Sequence, residues 1–172
     1  MSDSPTVANP QTFEEFVAVE FEVVVAMALA VLGSRDEAVE VAQETMLRAY
    51  QHWPRVGAFD RPGAWTRRVA LNLIHDRRRG WLRGRRLMVR LTSVRDREVP
   101  AIVVEEETEL WAAVASLSRR RCNVVVLHYV IDLSIAEIAR TLEMPEGTVK
   151  ADLSRARQQL RDRLTGAAND RD

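Results

Sequence analysis

Between Leu133 and Leu160 the chain reads LSIAEIARTLEMPEGTVKADLSRARQQL, a stretch that few folds can accommodate. Ser134 stands three residues before Glu137, the spacing of a capping box in which each side chain meets the other residue's amide. Ile135, Ile138, Ala139 and Leu142 recur at helical spacing and define one buried face. Pro145 and Gly147 interrupt that helix, since proline cannot continue it and fits only the lead-in of the next. A second helix follows Thr148, with Val149, Leu153, Ala156 and Leu160 inward and Lys150, Ser154, Arg155 and Arg157 outward. The small side chain of Ala139 lets the two helices cross closely. The pattern is a helix-turn-helix whose second helix carries donors suited to a major groove. Read without DNA, it is an αα-hairpin with a solvated basic face.

The rest of the composition fits a helical protein. Aromatic residues are 6% of the 172 residues, glycine and proline are few, and 47% are hydrophobic, which favours helices over sheets and supplies enough apolar side chains for real cores. Net charge is zero, yet it is unevenly spread. Residues 1–60 hold 3 basic and 10 acidic side chains, residues 61–97 hold 12 and 2, and the remainder holds 10 and 13. The central block therefore stands out as a polyanion-binding candidate between acidic neighbours. A single cysteine, Cys122, excludes an internal disulfide and suits a reducing compartment. His52, His75 and His128 are far apart in sequence, with no zinc spacing, so no metal or other cofactor is expected. No basic segment leads into an apolar run at the N-terminus, so a signal peptide is not expected. Val17 to Leu32 is too short to span a bilayer and is interrupted by Glu20 and Glu22. A soluble, cytoplasmic protein without membrane insertion is the expectation.

Taken in order, residues 1–11 are polar. Thr12 with Glu15 forms another capping box and opens a helix to Leu32 that Gly33 can end. Ser34 with Glu37 forms one more, opening a helix from about Arg35 to His52. On it, Val39, Ala42, Met46 and Tyr50 are expected inward, and Glu40, Gln43, Glu44 and Arg48 outward. Trp53 to Gly63 (WPRVGAFDRPG) reads as a loop carrying Trp53 and Phe59. A helix then runs from about Gly63 to Arg79, with Trp65, Val69 and Leu73 on one face. Arg68, Asn72, His75 and Arg79 fall on a separate narrow arc flanked by Arg67 and Arg78. Such a stripe beside aromatic residues suits single-stranded DNA, where cations follow phosphates and rings stack on bases.

Residues 80–107 begin basic (Arg83, Arg85, Arg86, Arg90, Arg95, Arg97), end acidic (Glu105, Glu106, Glu107) and keep no period, which predicts a linker at a domain boundary. A short helix from Thr108 to Leu117 places Leu110, Ala113, Val114 and Leu117 inward. Ser118 is placed to cap another from Arg119 to Val130, and a polar tail starts near Thr165. No nucleophile–base–orienter set assembles, so catalysis is not expected.

These motifs, in this order, resemble the extracytoplasmic-function (ECF) sigma factors of the sigma-70 family, from about Phe13 to Leu164. AQETMLRAY (Ala42 to Tyr50) is similar to that family's polymerase-binding helix, and AWTRRVALNLIHDRRR (Ala64 to Arg79) to its promoter-melting helix. LSRRRCNVVVLHYVIDLSIAEIARTLEMPEGTVKADLSRARQQL is similar to its region 4, with EIA (Glu137 to Ala139), GTVK (Gly147 to Lys150) and RAR (Arg155 to Arg157) as matching cores. The resemblance implies an all-α chain of two small helical domains joined by a flexible linker. Region 2 would occupy 12–80, the linker 81–107, and region 4 with its helix-turn-helix 108–165. It implies docking on the β′ clamp helices of core RNA polymerase through Glu40, Gln43, Glu44 and Arg48, with the β flap as a further contact. The unwound minus-10 strand would meet Trp53, Phe59, Arg67, Arg68, Asn72, Asp76 and Arg77. The minus-35 duplex would meet Thr148, Lys150, Ala151, Ser154, Arg155 and, at a phosphate, Arg157. Phosphate contacts position such a protein and base-edge contacts specify its site. An anti-sigma factor on a separate chain is a further implied partner.

Several positions depart from the family pattern. Ser118 replaces a frequent proline, and Glu143 replaces the glycine frequent at the bend, at about 1 kcal/mol if its φ is positive. Cys122, Asn123 and His128 replace commonly charged residues. Asp152 puts an acid where relatives often carry a basic or neutral side chain, and close to phosphate it would weaken binding or select a partner base. A stand-alone helix-turn-helix regulator would bind duplex without polymerase, usually as a dimer, and leaves the basic–aromatic first half without a task. A nuclease would need a metal or acid–base cluster that the sequence does not supply. Cys122 is either a redox-sensitive thiol or, more simply, a small buried hydrophobe.

Overall fold

Thr12 starts the fold as the sequence predicts: its side chain accepts from the Glu15 amide, and the Glu15 carboxylate returns to the Thr12 amide. In the computed structural model, which describes residues 12–92 and 106–169, this box opens α1 (Phe13–Leu32). Gly33 ends α1 at φ 69°, a left-handed conformation that costs glycine little. Ser34 accepts from Glu37 to begin α2 (Arg35–Gln51), but only this half of the expected capping box is made. α3 (Trp53–Val56) and α4 (Pro62–Thr92) follow, then α5 (Glu106–Ala115), α6 (Arg119–Tyr129), α7 (Ile135–Leu142) and α8 (Glu146–Asn169). Among the described residues there is no strand, and no helix is long and apolar enough to cross a membrane.

The first half is a three-helix unit in which α1 packs along α2 and α4 packs against both. In the second half α8 packs on α5, α6 and α7. Phe16, Met27, Val41, Leu71 and Ile74 fill the first core, and Leu117, Leu127, Ile138 and Val149 the second. The two are continuous: α1 touches α5 and α6, and α4 touches α7.

Several helices differ from the sequence expectation. α4 does not stop at Arg79 but runs to Thr92. Arginine and leucine are good helix formers, and no proline interrupts the chain there, so Gly80 and Gly84 alone do not break it. The stretch 53–63, expected as a loop, contains the single turn α3, with Pro54 in its first turn. Tyr50, expected inward, is 63% exposed, because α2 turns Ala38, Val41, Ala42, Thr45, Met46 and Ala49 to the core instead. On α4 the deep positions are Thr66, Ala70, Leu71, Ile74 and His75, while Trp65, Val69 and Leu73 are only half-buried. Leu110 is exposed, and Ser118 sits at the start of α6 without a side-chain capping bond.

Candidate nucleic-acid interface

The helix-turn-helix is built as its sequence predicts. Ser134 and Glu137 form the reciprocal box at the start of α7, and hydrogen bonding to Ser134 lowers the Glu137 pKa. Glu143 closes α7 at φ 53°, so the left-handed backbone on which its cost depends is present at the bend. The Pro145 carbonyl then accepts from the Thr148 and Val149 amides at 2.9 and 3.2 Å, turning the chain into α8. Val149, Leu153 and Ala156 are buried and Leu160 half-buried. That rotation leaves Lys150, Ser154, Arg155 and Arg157 exposed and Thr148 and Ala151 half-buried. Beside this strip an open hollow of about 560 Å³ is lined by Arg121, Arg155, Gln158, Gln159, Asp162 and Arg163.

Asp152 is not on that strip. It is 1% exposed and both its oxygens accept from Arg120, at 2.5 Å from Nε and 3.1 Å from Nη2. The expectation of an acid facing phosphate is therefore corrected. Its place was legible: Asp152 lies three residues after Val149 and four before Ala156, on the inward face. Arg157 is also held, its Nε donating to the Tyr129 hydroxyl at 2.5 Å with the guanidinium 5.7 Å from the ring centroid. Neither Arg120 nor Tyr129 was signalled by periodicity, since each acts through a partner distant in sequence.

On α4 and the preceding segment the expected strand-binding residues all have internal partners or neighbours. Trp53 is half-buried with its ring 5.2 and 5.0 Å from those of Phe13 and Phe16, and Phe59 is half-buried. Arg67 reaches inward to Glu20 at 2.6 Å, a pair nearly closed to solvent. Burial is the main influence on Glu20 and raises its pKa, against the lowering effect of Arg67. Arg68 pairs with Glu143, Asp76 with Arg79, and Asn72 accepts from Arg119. Arg77 meets Glu40 at 2.5 Å, linking the strand-binding candidates to those for polymerase on α2. There Gln43 is exposed, Glu44 pairs with Arg48 at 2.8 Å, and Leu47 and Tyr50 add exposed apolar surface. Among the described residues no group of three or more His, Cys, Asp or Glu could hold a metal.

Comparison with known proteins places this geometry. The models for sigma-70 region 2 and sigma-70 region 4 match residues 21–84 and 107–160. The ECF RNA polymerase sigma factor SigL of Mycobacterium tuberculosis is 36% identical over 142 residues, which cover 78% of each chain. The chain belongs to the ECF sigma factors of the sigma-70 family. SigW of Bacillus subtilis is 28% identical over 91% of this chain and 90% of its own. The fold matches the sigma factor RpoE solved with the anti-sigma factor NepR from Bartonella quintana, at a TM-score of 0.60 and 20% identity over 89% of this chain and 96% of that one. It also matches CnrH solved with the cytosolic domain of CnrY, again at 0.60, with 23% identity over 90% of this chain and 88% of that one.

As a sigma factor, the chain directs promoter-specific transcription initiation. In this sigma factor regions 2 and 4 touch along the very arc that the sequence marks on α4. His75, expected on an open stripe, is 3% exposed, with Nε2 2.7 Å from Asn123 Oδ1 on α6. Arg78 donates to the Ala115 carbonyl at the end of α5. Arg119–Asn72 and Arg68–Glu143 complete the contact. Asn123 and Glu143, two of the six positions at which the sequence is read as departing from the usual pattern, are thus among those that close the interface. Cys122, another departure, is buried, and desolvation pushes its thiol up to about 11, which makes it a poor nucleophile.

Proposed function

We propose that residues 12–80 capture the melted minus-10 strand, residues 108–165 read the minus-35 duplex, and residues 81–107 join them inside polymerase. The exposed strip on α8 supports this most directly. Lys150, Ala151, Ser154 and Arg155 occupy the outward face of the second helix of a helix-turn-helix, beside Thr148 and Arg157. Arg68, Asn72, Asp76, Arg77 and Phe59 form the minus-10 set, with Arg67 and Trp53 supporting it from inside. Glu40, Gln43, Glu44 and Arg48, with exposed Leu47 and Tyr50, dock on the β′ clamp helices, and region 4 meets the β flap. The chain supplies recognition and no catalysis of its own; the chemistry belongs to core polymerase. It works in the cytoplasm under an anti-sigma partner of the kind that holds the two solved relatives.

Transcription from genomic fragments by core enzyme with and without the chain tests this. Promoter-dependent transcripts are expected only when both are present. Arg155→Ala is expected to relax minus-35 discrimination by about 1–3 kcal/mol, measured by competition between substituted duplexes. Asn72→Ala is expected to slow open-complex formation while leaving core binding intact. No promoter-dependent transcript, or equal losses in both Asn72→Ala assays, refutes the corresponding assignment.

A further inference from the structure

The buried acid on the recognition helix has a use that the promoter assignments leave open. Asp152 grips Arg120 in a fork, through Nε and Nη2, the geometry that orients a guanidinium most firmly. The acid is buried, but the Arg120 side chain is 58% exposed, and among the described residues its Nη1 has no partner. Arg120 belongs to the first turn of α6, yet the grip fastens its charge to the side of α8. At about 100° per residue, Asp152 and Arg157 lie on opposite flanks of the strip formed by Lys150, Ala151, Ser154 and Arg155. Each flank thus presents an arginine held by another residue, Arg120 by Asp152 and Arg157 by Tyr129. Arg121 and Arg155, lining the neighbouring hollow, keep that flank basic. A helix lying in a major groove has a phosphate backbone on either side of it, and contacts to those backbones fix its register.

We propose that Arg120 is a phosphate contact of the minus-35 duplex and that Asp152 is its positioning residue. The acid does not touch DNA. It removes the rotamer freedom that an arginine otherwise loses on binding, so the guanidinium meets the phosphate already oriented. This rests on the minus-35 assignment above.

The test uses holoenzyme assembled from core polymerase and the full chain, carrying wild type, R120Q, D152N, R120Q/D152N or R155A. Each is titrated onto a promoter duplex between about 50 and 200 mM salt, and onto versions with altered minus-35 bases. R120Q alone strands a buried carboxylate and can compromise folding, so the double variant, whose neutral pair is of similar shape, is the main comparison. It is expected to keep the wild-type melting temperature while lowering the slope of log affinity against log salt by about 0.9, one phosphate. The loss is expected to be the same on every minus-35 sequence. D152N alone is expected to weaken binding several-fold, and to add nothing once Gln occupies position 120. An unchanged salt slope in R120Q/D152N overturns the contact. A D152N loss of equal size with Arg or Gln at 120 overturns the positioning role. R155A separates the two layers. If it alters base preference while the slope of the double variant does not move, only the Arg120 proposal falls; if R155A leaves base preference intact, the minus-35 assignment itself falls and takes the proposal with it.

Discussion

Gly63 shows how a single backbone position sets the first unit. A Cβ there would lie 2.5 Å from Glu20 Oε1 and 3.0 Å from its Cδ, and Glu20 is fixed by Arg67. In an unhindered helix, replacing glycine by alanine stabilises by about 1 kcal/mol. Here the sign should reverse, because the added methyl meets a carboxyl that has little room to move. Gly63→Ala is expected to cost about 1–3 kcal/mol, seen as a lower thermal midpoint. An unchanged or raised midpoint says that Glu20 swings aside. The pair itself is not fully satisfied, since Glu20 Oε2 and Arg67 Nε are buried without a partner. None of this was legible in the sequence. A glutamate on an apolar helix and an arginine in a basic stripe look like solvated groups until the fold brings residues 47 apart together.

Helix starts, by contrast, were written locally. Thr12–Glu15 and Ser134–Glu137 form complete boxes, Gly33 ends α1 in the left-handed region, and Glu143 takes the positive φ whose cost the sequence could state only conditionally. The inward face of α8 follows from spacing, because burial there is decided by rotation about one axis. α4 was harder to read. Its far end continues to Thr92 for want of a strong breaker, and its arc of polar residues has the same period whether it faces solvent or another helix. His75 decides between these. Burial lowers its pKa from 6.5, nearby Arg78, Arg119 and Arg79 lower it further, and the bond to Asn123 opposes them. With the folded value depressed, the contribution of His75 to the α4–α6 contact is whole above about 6.5. It is lost as pH falls below that, when the ring must take a proton in place. Denaturation midpoints followed between about pH 7.5 and 5 should therefore decline more steeply for wild type than for His75→Gln. Parallel curves would remove the residue from this role.

At the scale of the molecule, α4 has to part from α6 and α7 before a DNA strand can lie along the proposed minus-10 face. Glu143 offers a way to see this motion, because two of its properties act in opposite directions. Glycine at 143 would relieve the positive φ, by about 1 kcal/mol, and at the same time remove the carboxylate that Arg68 meets. Glu143→Gly is therefore expected to raise the thermal midpoint of region 4 while increasing the radius of gyration of the free chain in small-angle scattering. A midpoint that rises with no change in dimensions would mean that the ion pair does not hold the halves together. The internal pairing along α4 bears also on how the free chain meets DNA. Arg67, Arg68, Arg77, Arg78 and Arg79 each already face an oxygen of the same molecule. Where that oxygen is a carboxylate's, as for Arg67, Arg68, Arg77 and Arg79, the pair has to open before a phosphate can take its place. In the closed subunit the first unit is expected to add little to non-specific DNA binding, which falls instead to the exposed face of α8.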